Sequence, residues 1–446
     1  MAALSKDRAG IVRALIEAAP DSAIRSLELA LGGDVAGGSL AAVKSIVDTE
    51  VYDRSVRDTV FDPITPLFTS RVDNLEQMLF PRAAFGRLWR ALKASDPASC
   101  AAAAAAPTRR VDGEATPMIF DELCRSAANR LRGREGDFAA LADMLEGYRP
   151  GAAGELAACL DLCPIAREAI RHLPGWLARM TDERQAAARL MYKDAVALAE
   201  DAGPRLMEIL FARLAEPWTV LRIVSAVMLK PDDRYAASSE LADFGARLLR
   251  DIDRRIELFK AFDYDGGAVA GEEAARMLRV TAAIAAEFEQ SLTLTRDGPW
   301  GQKLAKQKQT LASSAEGHLR KLEKVMAEAL PMQPVRVGGR TVRGEPRLDA
   351  PPNPAPLQRA RALLTFFAGV RATAAQGGYG TARAKVGEEV AHYLDSYVEE
   401  LLGTLRSSDH EHMDNAAQYL EAAADFCALV HDDQTAQIIR RRAAAA

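Results

Sequence analysis

The chain has 446 residues, 49% hydrophobic and 27% charged, with a formal net charge of −5. That composition excludes global disorder, and the negative balance excludes a dedicated nucleic-acid binder of the usual basic kind. Aromatic residues are only 6% and β-branched runs at strand spacing are almost absent, so the expected fold class is all-α, an extended array or bundle of antiparallel amphipathic helices. Arginines number 45 against 12 lysines. With the alanine excess, that skew points to a GC-rich bacterial source.

In chain order, residues 1–94 read as an N-terminal helical region. Helices are expected over 5–19 and 22–31 around Pro20-Asp21-Ser22, then from Ser39 to about Val51 after a glycine-rich turn. Pro63 and Pro66 forbid helix between them, and a further helix is expected from Asn74 to Ala94, kinked at Pro81. Residues 95–117 read as an Ala/Pro linker, because the six-alanine tract 101–106 offers nothing to anchor a core. Residues 118–330 read as a central helical array ending in a long helical hairpin. Its first long helix carries Met277, Val280, Ile284, Phe288 and Leu292 as a stripe. The second carries Leu304, Leu311, Ala315, Leu322, Val325 and Ala329 at heptad-like spacing, with Lys308 and His318 interrupting the seam. Residues 331–356 read as an Arg/Pro-rich hairpin or linker, with a small β-hairpin near 335–343 around Gly338-Gly339. A C-terminal helical region, 357–446, is expected to hold helices over 357–376, 381–405 and 409–440.

The N-terminus is broken by Asp7, Arg8 and Arg13, so no leader is expected. No run approaches a membrane span. Cys100, Cys124, Cys159, Cys163 and Cys427 form an odd, sparse set without zinc or redox spacing, consistent with reduced thiols in a cytoplasm. Asp263-Tyr264-Asp265-Gly266 followed by Glu272 resembles half of an EF-hand loop. Ala261 stands where the first carboxylate is required, so a turn between helices is the better reading. Gly377-Gly378-Tyr379-Gly380 likewise reads as a turn, since no strand precedes it.

Two sets of side chains are candidate sites. Glu389 and His392 have the Glu-x-x-His spacing that lets both face one metal on a helix. With His410, His412 and His431 they make a candidate metal set. Arg336, Arg340, Arg343 and Arg347 form the most distinctive charge cluster, suited to an acidic partner surface or to phosphate. No nucleophile elbow or complete catalytic constellation is present, and no cofactor is expected. The leading expectation is therefore a non-catalytic cytoplasmic scaffold or adaptor that binds a partner protein through helical surfaces. One alternative is a helical metal-dependent enzyme or sensor using the C-terminal His/Glu set. Another is a peripheral membrane or nucleic-acid contact through the arginine-rich hairpin and the Arg440-Arg441-Arg442 tail. Self-association is left open.

Overall fold

Helical periodicity is realised almost throughout the computed structural model, which describes residues 6–32, 38–68, 77–106, 117–337, 341–406 and 412–445. The fold is all-α with one small β-hairpin. Two compact units divide the chain, Met1–Val227 and Met228–Ala446. The division lies inside the span 118–330 that reads as one array in sequence, close to Pro231, which cannot continue a helix.

The first unit holds α1 (Lys6–Ala18), α2 (Asp21–Ala30), α3 (Ser39–Val60), α4 (Arg82–Ser95), α5 (Pro97–Ala105) and α6 (Met118–Gly133). It continues through α7 (Asp137–Tyr148), α8 (Ala152–Asp161), α9 (Cys163–Ala178), α10 (Asp182–Leu198), α11 (Ala202–Phe211) and α12 (Val220–Val227). α1 and α2 lie on α3 through a small core of their own, in which Ile16, Ile24 and Val47 are buried. Two sequence expectations are corrected here. The helix expected to kink at Pro81 instead starts after it, with Pro81 as the N-cap residue of α4. The alanine tract is not a linker up to Ala105. Asp96 accepts from the Ser99 N–H, Pro97 opens the helix, and Cys100 and Ala103 are buried. Residues 107–116 of the expected linker lie outside the described residues. Cys159 and Cys163 sit on α8 and α9, and all five cysteines are buried free thiols.

The second unit holds α13 (Asp233–Ser238), α14 (Ala242–Lys260), α15 (Gly267–Ser291), α16 (Pro299–Ala329), strands β1 (Met332–Val337) and β2 (Thr341–Pro346), α17 (Pro354–Gly369), α18 (Gly380–Arg406), α19 (Met413–Val430) and α20 (Asp433–Ala444). The strands pair antiparallel, with Val335 opposite Arg343 and Arg336 opposite Val342. The helix expected over 409–440 is broken at His431-Asp432, because the Asp432 carboxylate accepts from the Thr435 N–H and starts α20. The two long helices do not form the expected hairpin. α15 packs chiefly on α17, and α16 on α14, α17 and α18. The reason is side-chain size. A Cβ at Gly271 would come within 2.2 Å of the Ala362 carbonyl oxygen, so this face of α15 admits α17 at close range. The buried stripe accordingly runs through Gly271, Ala274, Ala275, Leu278 and Thr281, while Met277 and Val280 are half-buried.

All six apolar residues expected in the seam of α16 are buried, and Lys308 leaves it to pair with Glu289 at 2.7 Å. His318 stays inside. Its Nε2 lies 3.1 Å from the Phe259 carbonyl oxygen and its Nδ1 2.6 Å from the Tyr264 hydroxyl. Nε2–H therefore donates to Phe259 while Nδ1 accepts from Tyr264, which fixes a neutral tautomer. Tyr264 belongs to the EF-hand-like segment, now a 3-10 turn whose Asp265 is paired with Arg359. Burial and the nearby Lys321 charge hold the His318 pKa below its ordinary value, against the opposing bond to Phe259. The stability conferred by the neutral imidazole is thus complete above about pH 6.5, the unfolded value, and is lost as pH falls through the lowered one. Urea unfolding should show stability falling between neutral pH and about pH 5, with a shallower fall in His318→Gln.

The N-terminus of the 31-residue α16 has no side-chain cap of its own at Gly298. Asp233 supplies one from across the unit. This carboxylate is fully buried, accepts from the Gly301 N–H at 3.2 Å and from the Thr295 hydroxyl at 3.0 Å, and would overlap any Cβ at Gly298. The carboxylate thus lies at the positive end of a long helix dipole, with no salt bridge to it among the described residues. Asp233→Ala should lower unfolding free energy by about 2–3 kcal/mol in denaturant titration, since it strands a buried N–H and hydroxyl.

Candidate functional site

The C-terminal set predicted for metal is spread over α18 and the ends of α19. Glu389 lies 3.7 Å from Lys385 one turn away, and His392 is exposed. His431 Nε2 is 3.5 Å from Asp395 on α18, while His412 occupies the N-cap position of α19 without bonding to the helix through its side chain. His410 lies outside the described residues. Among the described residues, no three His, Cys, Asp or Glu side chains gather as a metal ion would require. Of the arginine cluster, Arg336 and Arg343 hold strand positions opposite valines. Arg340 lies outside the described residues, and Arg347 donates to Asp349 at 2.9 Å.

A substantial cavity lies elsewhere, in the first unit. It is an open cleft of about 600 Å³ bordered by the turn between α1 and α2, by α3 and by α4. Its floor is a set of polar ties that hold the α1–α2 pair in place. α1 ends without a glycine, leaving its last carbonyls to find donors. Arg54 of α3 donates to the Ile16 and Ala19 carbonyls at 3.1 and 2.9 Å, and Arg90 of α4 donates to that of Glu17 at 2.9 Å. Arg54 also donates to Asp21 and Glu50, both at 2.7 Å. Arg57 reaches Asp21 at 3.3 Å and lies 4.4 Å above the Phe85 ring. Burial alone would raise the Asp21 pKa, but the Arg57 and Arg54 guanidinium groups outweigh it and hold the carboxyl below its ordinary value. Asp53 is bonded by both Lys93 at 2.8 Å and the Trp89 indole at 3.0 Å.

These ties consume Arg54, Arg57 and Lys93 against Asp21, Glu50 and Asp53. Arg82, Arg87 and Arg90 remain at the border, exposed, with Glu17 as the one lining carboxylate left over. Arg82 comes no closer than 3.9 Å to Asp21, beyond hydrogen-bond reach. The described residues lining the cleft include no serine, threonine, cysteine or histidine. Such a lining can recognise a negatively charged group.

The sequence reading passed over this cleft. The four-residue spacing of Arg82, Gly86 and Arg90, which share one face of α4, was its visible signal. Its other half was not visible, because Asp21 and Arg54 are brought together only by tertiary packing. No protein-family model, no curated protein and no solved structure matches this chain. No helix among the described residues is long and apolar enough to cross a membrane.

Because Arg54 satisfies three groups of the α1–α2 pair at once, Arg54→Ala should cost that pair about 2 kcal/mol of local stability. Hydrogen exchange should then quicken over residues 6–30, with the helices of the second unit unchanged.

Proposed function

We propose that this protein is a non-catalytic cytoplasmic adaptor that holds an acidic segment of a partner protein in the cleft of its first unit. The observation that carries this reading is the composition of that cleft. Among the described residues, Arg82, Arg87 and Arg90 border it without a hydrogen-bonded carboxylate, Arg82 standing 3.9 Å from Asp21. Exposed guanidinium groups on a rigid helix suit charge-assisted, bidentate contacts to carboxylate or phosphate. The open mouth suits a peptide segment better than an enclosed small molecule. The metal-centre alternative has less behind it, since its described members are engaged elsewhere or exposed. The arginine hairpin has less as well, since Arg347 is already paired.

The test is capture from native cytosol on the immobilised full-length protein, beside an Arg82→Glu/Arg87→Glu variant of matching circular dichroism. A stoichiometric partner retained at about 0.15 M salt and lost by the variant supports the cleft as the docking site. A partner captured equally by both proteins removes the cleft from the proposal.

A further inference from the structure

We infer that this cleft contains an oxyanion subsite for a phosphoryl group, formed by the α4 arginines over Gly86 and flanked by the first turns of α2 and α4. The inference rests on the recognition role proposed above and names the group recognised.

Charge is the first argument. Among the lining residues six basic side chains face four carboxylates, a surplus of two positive charges, with Arg57 also paired at 2.7 Å to Asp58 outside the lining and Arg82 3.9 Å from Asp21. A phosphate monoester carries close to two negative charges at neutral pH, whereas a side-chain carboxylate carries one. Shape is the second argument. Arg82, Gly86 and Arg90 follow one another along a single face of α4. The three atoms nearest a Cβ built at position 86 all belong to the Arg90 guanidinium, the first at 3.5 Å, so that guanidinium lies over the glycine at ordinary contact distance. Glycine in a helix interior costs about 1 kcal/mol of helix propensity relative to alanine, and the cleft gives it a use. Arg90 is held in place by its bond to the Glu17 carbonyl, and that bond occupies one of its five N–H donors.

The helix ends are consistent with the same ligand. α2 follows Pro20 and α4 follows Pro81, and neither N-cap residue offers a side-chain acceptor to the first turn. Pro20, Asp21, Arg82 and Ala83 all line the cleft. α4 therefore brings a first turn without a side-chain cap to the wall that carries the arginines, whereas the first turn of α2 already holds the Asp21 carboxylate.

The experiment is isothermal titration of the full-length protein with inorganic phosphate at fixed ionic strength, with acetate as the singly charged control. A second arm compares a phosphoserine peptide with its unphosphorylated form. Saturable phosphate binding with a dissociation constant of about 1 mM or tighter is expected, with none for acetate. Arg82→Ala/Arg87→Ala should weaken it at least about tenfold. Gly86→Glu, which places a carboxylate between the arginines without burying it, should abolish it while the melting temperature is kept. Peptide binding that depends on the phosphoryl group assigns the ligand to a modified protein segment, and phosphate binding alone assigns it to a free anion. No saturable phosphate heat, or binding unchanged in both variants, overturns the inference. The two proposals fail separately. Phosphate binding without a captured partner removes the adaptor reading alone, and partner capture indifferent to phosphate removes the oxyanion subsite alone.

Discussion

Every α-helix leaves its last carbonyl groups without partners inside the helix, and in this chain arginines from other elements close many of those ends. Arg54 and Arg90 close α1. Arg167, itself buried, donates to the Thr59 and Val60 carbonyls at the end of α3 at 3.2 and 2.8 Å. Arg184 closes α9 at the Gly175 carbonyl, and Arg189 reaches Ala226 in α12. In the second unit Arg279 and Arg383 serve α17 at Gly369 and Phe367, and Arg371 serves α19 at Val430. The usual alternative, a glycine in the left-handed region just past the helix, is little used. The glycines of positive φ, such as Gly136, Gly151 and Gly267, stand at helix starts. The C-cap residue with a left-handed backbone is Arg134, at the end of α6.

This arrangement gives the arginine excess a structural meaning. A guanidinium group has five donors in a fixed fork, so one side chain can satisfy two carbonyls and a carboxylate together, as Arg54 does with Ile16, Ala19 and Asp21. The positive charge also lies favourably at the negative end of the helix dipole. Lysine, a point charge on a flexible stem, cannot make the same forked closure. The arginine content of the chain therefore says little about nucleic acid. The informative arginines are those left over once the helix ends and carboxylates are served, and of these Arg87 on α4 borders the cleft, beside Arg82 at 3.9 Å from Asp21.

What was legible in the sequence follows from the range of each interaction. N-caps act over three residues, so Thr181 before α10 can be read from local order, whereas the expectation of one helix over 409–440 overlooks the Asp432 cap. The seam of α16 is legible for the same reason, being a periodic feature of one helix. Arginine C-caps are non-local: Arg167 meets α3 from more than a hundred residues away, and no periodicity announces it. Asp233 is equally hidden, since an aspartate in the first turn of α13, beside the Asp232 that caps that helix, gives no sign that it will also cap α16. Two features misled because they were judged by hydrophobicity alone. The alanine tract of α5 needs only a capped start and a small contact surface, and α15 selects its partner by small residues at Gly271 and Ala275 rather than by its larger apolar side chains.

The border of the cleft and the docking of α1 share a residue, and that makes them thermodynamically linked. Arg90 is positioned by the Glu17 carbonyl, so the geometry offered to a ligand exists only while α1 is seated. The core beneath α1 and α2 is small, built on Ile16, Ile24 and Val47, and such elements open at a lower free energy than the body of a unit. A ligand that engages Arg90 only in the seated state must, in binding, favour seating by its own differential affinity. Conversely, the apparent affinity of the cleft is reduced by the fraction of molecules in which α1 is unseated. The polar ties of Arg54 and Asp21 keep that fraction small. On the proposed reading they would bear on recognition through the position of α1, which Arg54 ties at Ile16 and Ala19.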